Sequence, residues 1–191
     1  MNGFLFILFT TLITTSLMLL YPSGISEASH STNGKGIYNQ LVREYDMDKG
    51  KLDEGEAVNK LELMFKGYAL DAVDVTKQNF NKHLDFSEES IKDVEACLDI
   101  LSKTREKYKP SDEETLIMAK TYAGYIGQVI KLRWGGDWKD EKDYSFDNGP
   151  ALKVKETHLF LVSKVYRRIV NGPEDNVWHS YLSFKMEQEG K

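Results

Sequence analysis

Apolar residues recur at intervals of three and four through most of the chain between Glu54 and Leu182, which restricts the fold more than any other feature. An α-helix of about 3.6 residues per turn places such positions on one face, whereas a strand needs alternation. Val58, Leu61, Phe65, Tyr68, Ala69 and Ala72 predict one helix from Glu54 to about Val75, with Gly67 as its interior glycine. A second opens at Ser87, which can cap it, with Glu88 and Glu89 in the electropositive first turn. Phe86 and Ile91 are spaced as a hydrophobic staple. Ile91, Val94, Leu98 and Leu101 carry this helix to about Lys107, short of Pro110.

Ser111-Asp112-Glu113-Glu114 reads as a capping box for a third helix, which reaches about Trp134. Along it Ala119, Ala123 and Gly127 lie four apart, a smooth strip for close approach of another backbone. Gly135-Gly136 ends it. Segments Trp138–Phe146 and Leu152–Lys155 flank Asn148-Gly149, a strong hairpin signal, although their apolar alternation is weak. A fourth long helix carries Leu159, Val162, Tyr166 and Ile169 on one face and stops at Gly172-Pro173. A last one starts at Glu174 or Asp175 and runs through Val177, Trp178, Tyr181 and Leu182. Near the start, Ile37–Tyr45 can form a short helix. Asp46–Lys51 reads as an acidic turn that fails the EF-hand template, with Lys51 at its sixth position and Ala57 at its twelfth. The expected fold is mainly α (α+β): about five helices and one small β-hairpin near 138–155, in a single domain over 37–191.

The segment Phe4–Leu20 is different in kind. It has no charge, Gly or Pro, and as a helix it would span roughly 25 Å, short of a hydrocarbon core of about 30 Å. Tyr21-Pro22-Ser23-Gly24 breaks it, and Ser26 and Ala28 are small residues at the −3 and −1 positions of a cleavage point. Residues 1–28 therefore read as a signal peptide cleaved after Ala28, or as an uncleaved membrane anchor, although no Lys or Arg precedes the apolar run. Either exports the remainder to the periplasm or the exterior. Residues 29–36 (SHSTNGKG) read as a flexible tether.

The 191 residues carry 25 basic and 30 acidic side chains, a net charge of −5. That balance argues against nonspecific nucleic-acid binding, which needs clustered Lys and Arg. The single cysteine, Cys97, lies on the stripe of Val94 and Leu101 and is expected in the core. There is no P-loop, dinucleotide-binding glycine fingerprint, nucleophile elbow or H-E-x-x-H. His30, His83, His158 and His179 have no partner at ligand spacing, so neither a metal nor a cofactor is expected.

The segment richest in recognition chemistry runs from Tyr122 to Trp138. Tyr125 and Gln128 share a helix face, and Arg133, Trp134 and Trp138 follow at its end. Trp178 and His179 form a second cluster after Pro173. Trp, Tyr and Arg often anchor binding surfaces, so these seven residues are the candidate binding set. The competing reading makes Trp134 and Trp138 core residues around the Gly-Gly turn, and Trp178-His179 part of a helix corner.

The order L-D-F-S-x-x-S-I (84–91), Y-x-G-x-V (125–129), G-G-x-W (135–138) and R-I-V-N-G (168–172) resembles a family of exported, α-rich bacterial proteins carrying a domain of unknown function. The resemblance covers about 84–184 and implies no activity. In that family the position of Gln128 is often Glu; the amide here weakens any acid/base role while keeping hydrogen bonding. The function expected is a non-enzymatic exported module for a protein partner, with a toxin-blocking immunity protein as one version. The alternative is an envelope hydrolase using Asp137 or Glu174 beside the aromatic cluster, which would require a buried carboxylate.

Overall fold

Helix starts and stops coincide with particular side chains in this protein, and the architecture follows from where those helices meet. The structure is a computed structural model and describes residues 32–141 and 149–190. Six helices are described: α1 (Thr32–Asp53), α2 (Lys60–Phe80), α3 (Ser90–Tyr108), α4 (Asp112–Trp134), α5 (Leu161–Asn171) and α6 (Val177–Glu189). Strands β1 (Asp137–Glu141), β2 (Gly149–Val154) and β3 (Thr157–Leu159) form one antiparallel sheet in the order β1-β2-β3. The chain is a single mainly helical domain with a small sheet.

The central element is α4. Ser111 Oγ accepts from the Glu114 N–H, and the Glu114 carboxylate accepts from the Ser111 N–H at 2.6 Å, completing the capping box. Every residue from Thr121 to Gly127 is buried, so α4 is surrounded rather than one-faced. Helix α2 packs along it, α5 lies on another side, and α3 reaches α5. Of the two glycines of α4, Gly124 is the one that meets another helix's backbone. A Cβ at Gly124 would fall 2.8 Å from the Phe65 carbonyl oxygen and 3.0 Å from the Ala69 nitrogen. Gly127 instead admits the edge of Trp138, whose Cζ2 would lie 2.6 Å from an added Cβ.

Helix α3 is preceded by the staple read from sequence. Phe86 and Ile91 are both buried, and Ser87 Oγ accepts from the Ser90 N–H at 3.2 Å. The regular helix begins three residues later than Ser87, because residues 87–89 form a tight turn with Ser87 O, Glu88 O and Glu89 O bonded three residues on. Cys97 is fully buried in this helix, and burial, the largest influence, pushes its thiol up to about 12.

Three expectations are corrected. Residues 32–36, read as tether, belong to α1: Gly34 is buried so closely on Asp85 that a Cβ would sit 2.5 Å from Asp85 Cβ. The acidic stretch Asp46–Lys51 continues α1, because Leu41 anchors the helix in the core and Lys66 of α2 reaches Asp48 at 2.8 Å and Glu44 at 3.4 Å. The hairpin carries a third strand, β3, and it takes Leu159 out of the helix to which its spacing assigned it. The Asn148 turn lies outside the described residues, as does the apolar run Phe4–Leu20. Among the described residues no helix is long and apolar enough to cross a membrane.

Helix α2 also holds a carboxylate pair one turn apart, Asp71 and Asp74, beside Tyr38 of α1. Tyr38 Oη donates to Asp74, at 3.2 Å from Oδ2. Surrounding protein, and then the Asp74 charge, raise Asp71 from 3.8 to about 6. The folded state thus holds this proton more tightly than the unfolded chain, so the group favours folding at low pH. That contribution is lost as pH rises from about 4 through about 6. Asp71→Asn is therefore expected to gain stability over the wild type on going from pH 4 to pH 7. Because the carboxyl still reaches solvent, the gain should stay under about 1 kcal/mol. Paired thermal melts across that range check it; a constant difference contradicts it.

Candidate functional site

The seven candidate residues separate into two groups. Tyr125 and Trp138 are buried joints of the scaffold. Phe86 has φ +60°, a left-handed conformation that costs a non-glycine residue about 1–2 kcal/mol. Tyr125 stabilises it: Tyr125 Oη accepts from the Phe86 N–H at 2.7 Å and shares a hydrogen bond with Ser90 Oγ at 2.7 Å, and its ring stacks on Phe86. Trp138 enters from β1 and stacks flat on Phe65, centroids 3.6 Å apart. Gly136, at φ +118° and with Lys153 O 2.6 Å from where a Cβ would be, turns the chain sharply enough to place it there. The Trp138 N–H donates to Glu62 Oε1 at 2.6 Å, while Glu62 Oε2 pairs with Lys131. Gln128 is half-buried on α4. The two aromatic rings are each consumed by a different packing contact, Tyr125 on Phe86 and Trp138 on Phe65.

Arg133, Trp134 and Trp178 do converge, around a residue outside the candidate set, Tyr181. Trp178 stacks on Tyr181 with centroids 5.6 Å apart, and Trp134 lies 6.1 Å from Tyr181 and edge-on to Phe184 at 5.3 Å. Both tryptophans remain half-buried, and His179 beside them is exposed. Cations lie over the exposed ring faces: the Arg133 guanidinium is 4.8 Å from the Trp134 ring and Lys92 Nζ 4.8 Å from the Trp178 ring. Such contacts contribute about 0.5–1 kcal/mol at exposed sites.

An ion-pair network borders the rings. Arg133 reaches both Glu88, in the turn before α3, and Glu189, near the end of α6, the latter at 2.6 Å; Lys185 also pairs with Glu88. The buried Tyr181 hydroxyl lies next to this network, beside the Glu88 carboxylate. Burial first, and then the Glu88 charge, raise it above the usual tyrosine range, so it is a neutral group there. The exposed apolar side chains Leu132 and Met186 sit on the same two helix ends. Glu88 escaped sequence reasoning because the turn before α3 is far along the chain from Tyr181 and Lys185 on α6; only the i, i+3 spacing of Trp178 and Tyr181 on α6 hinted at a shared face.

The carboxylates proposed for hydrolysis are not placed for it. Asp137 and Glu174 are both exposed, so neither meets the requirement of a desolvated acid beside the aromatic rings. Glu62, which does reach Trp138, engages both oxygens in structural contacts. Among the described residues no three His, Cys, Asp or Glu side chains are grouped to hold a metal ion.

Fold and site together define a mainly helical domain with a three-stranded appendage and an aromatic, ion-paired surface along α6. Comparison with protein-family models, with curated proteins and with solved structures gives no match.

Proposed function

We propose that this chain is a non-enzymatic, exported binding module that receives a protein partner on the Arg133–Trp134–Trp178 surface. One observation carries the reading: two tryptophans, a tyrosine and an arginine converge there while the tryptophans stay partly open to solvent. Those residue types dominate the energetics of protein interfaces, and an ion-paired border around them is the arrangement that excludes water from a central contact. The net charge of −5 favours a basic partner by long-range steering, as a toxin-blocking immunity protein would use. The motif resemblance to exported α-rich proteins and the apolar leader support action outside the cytoplasm.

Affinity capture from the native envelope tests it, with wild type compared against Trp178→Ala and Arg133→Gln. Capture of one partner by the wild type, with at least about a tenfold loss in each variant, is the expected result and corresponds to removal of an anchor of about 1.4 kcal/mol or more. Equal capture by folded variants removes this surface from the account.

A further inference from the structure

The short segment from Asp85 to Ser90 joins parts of the molecule that are far apart along the chain. At one end, Asp85 meets the first turn of α1. Gly34 is buried there, and a Cβ on it would lie 2.5 Å from Asp85 Cβ, 3.0 Å from Asp85 Cα and 3.1 Å from the Asp85 carbonyl oxygen. Toward the other end, Glu88 accepts from both Arg133 and Lys185 and so holds the border of the tryptophan surface together. Between them stands Phe86, at φ +60°.

A directed chain of hydrogen bonds holds this turn. The Phe86 N–H donates to Tyr125 Oη at 2.7 Å. Ser90 Oγ donates to the Ser87 carbonyl oxygen at 2.6 Å, which leaves the Tyr125 O–H to donate to Ser90 Oγ at 2.7 Å. Each buried hydroxyl thus gives one bond and takes one. For a residue with a side chain, the left-handed region is a small basin separated from the others by forbidden backbone space. Phe86 therefore has discrete alternatives and no continuous range. Leaving φ +60° relieves the local strain, forfeits the bond to Tyr125 and re-aims Glu88 two residues on. Asp85 directly precedes Phe86, so the backbone seated against Gly34 biases that same choice.

We propose that docking of the first turn of α1 on Asp85 regulates the partner surface. With Gly34 seated, Phe86 stays left-handed and Glu88 holds Arg133 and Lys185; with that turn lifted, Phe86 relaxes and the ion-paired border opens. The regulation rests on the partner reading of the surface. Coupling of this kind is reciprocal, so the Glu88 pairs in turn hold the start of α1 in place.

Gly34→Ala and Gly36→Ala form a matched pair within one turn of α1, because Gly36 has open space around it. Three readouts on the full chain separate the steps. Amide exchange of Phe86 by NMR reports the turn. The Trp134 indole resonance reports the Arg133 guanidinium, 4.8 Å from its ring, and affinity capture from the native envelope reports the surface. Gly34→Ala should speed Phe86 exchange by about tenfold or more and lower capture by about fivefold or more. It should also move the Trp134 resonance in the direction that Glu88→Gln moves it. Gly36→Ala should do none of these. If Gly34→Ala does not fold, Glu88→Gln supplies the reciprocal arm: the Gly34 amide resonance should shift while that of Gly36 stays. Unchanged Phe86 exchange, an unmoved Trp134 resonance, or equal effects of the two alanines would overturn the inference. So would full capture by Gly34→Ala once the turn and the indole have both responded. No capture by the wild type would contradict the partner reading instead, and the coupling then stands or falls on the Phe86 and Trp134 signals.

Discussion

Gly124→Leu is expected to lower stability by about 3 kcal/mol or more, at the upper end of the overpacking range. A Cβ at this position would already lie 2.8 Å from the Phe65 carbonyl oxygen, 2.8 Å from Tyr68 Cβ and 3.0 Å from the Ala69 nitrogen. Two of those atoms are α2 backbone, which cannot rotate away as a side chain does. The helices must separate, and with them the most extensively packed pair in the domain. Helix propensity pushes the other way, since replacing an interior glycine gains up to about 1 kcal/mol, but it cannot offset a clash with main chain. Gly36 provides the control: it lies in α1 with open space around it, so Gly36→Ala should stabilise by about 0.5–1 kcal/mol. Thermal unfolding of the two variants should move in opposite directions. A Gly124→Leu protein that melts with the wild type would mean that α2 and α4 do not approach as described.

Arg168→Met should destabilise by about 3 kcal/mol, for a different reason. Arg168 is buried on α5, with Nε 2.6 Å from Glu95 Oε1 and Nη2 3.1 Å from Asp99 Oδ1 on α3. Glu95 Oε2 in turn accepts from the Val177 N–H at 2.8 Å, so one carboxylate joins α3, α5 and the start of α6. Removing the guanidinium leaves Glu95 charged and mostly buried without its cation, and breaking such a pair costs about 3–5 kcal/mol. Asp99 is more open and keeps Lys103, which places the expected effect at the lower end. The diagnostic is the double variant: Arg168→Met with Glu95→Gln should recover part of the loss, because the stranded charge is gone while an amide oxygen can still cap α6. Equal destabilisation of the single and double variants would locate the cost in packing instead.

Much of the helical scaffold was legible because local chemistry and tertiary contacts agree there. The Ser111 capping box, the Phe86–Ile91 staple and the Gly135-Gly136 stop each act within a few residues, so each can be read without knowing the fold. Helix α1 was misread where they disagree. Gly34, Gly36 and Gly50 and the acidic run Asp46–Asp48 argue for tether and turn, yet Leu41 in the core and Lys66 across the interface hold the segment helical. Strand β3 has three residues and no pattern of its own; its pairing with β2 creates it. Arg168 follows Arg167 directly on α5, and nothing local distinguishes the arginine that reaches the core from the one that pairs with Asp175 near the surface.

The candidate site was half legible for a related reason. Residue type alone picked out Arg133, Trp134 and Trp178, which lie together around Tyr181, and on the same grounds it picked out Tyr125 and Trp138, which do not. What divides them is the small residue or strained backbone each faces: Trp138 fills the space over Gly127, and Tyr125 supports Phe86. Those are tertiary facts. All four short motif segments turn out to be joints of this kind: L-D-F-S and G-G-x-W meet Tyr125 and Gly127 of Y-x-G-x-V, and R-I-V-N-G meets Glu95.

The surface around Tyr181 is most directly tested by photo-crosslinking in the producing cell. A photoreactive residue at His179, exposed beside Trp178, is compared with one at Met47, exposed on α1. The account predicts one discrete adduct of defined mass from position 179, absent from position 47 and lost when Trp178→Ala is added. Adducts of equal yield from both positions, or none from 179, would contradict it.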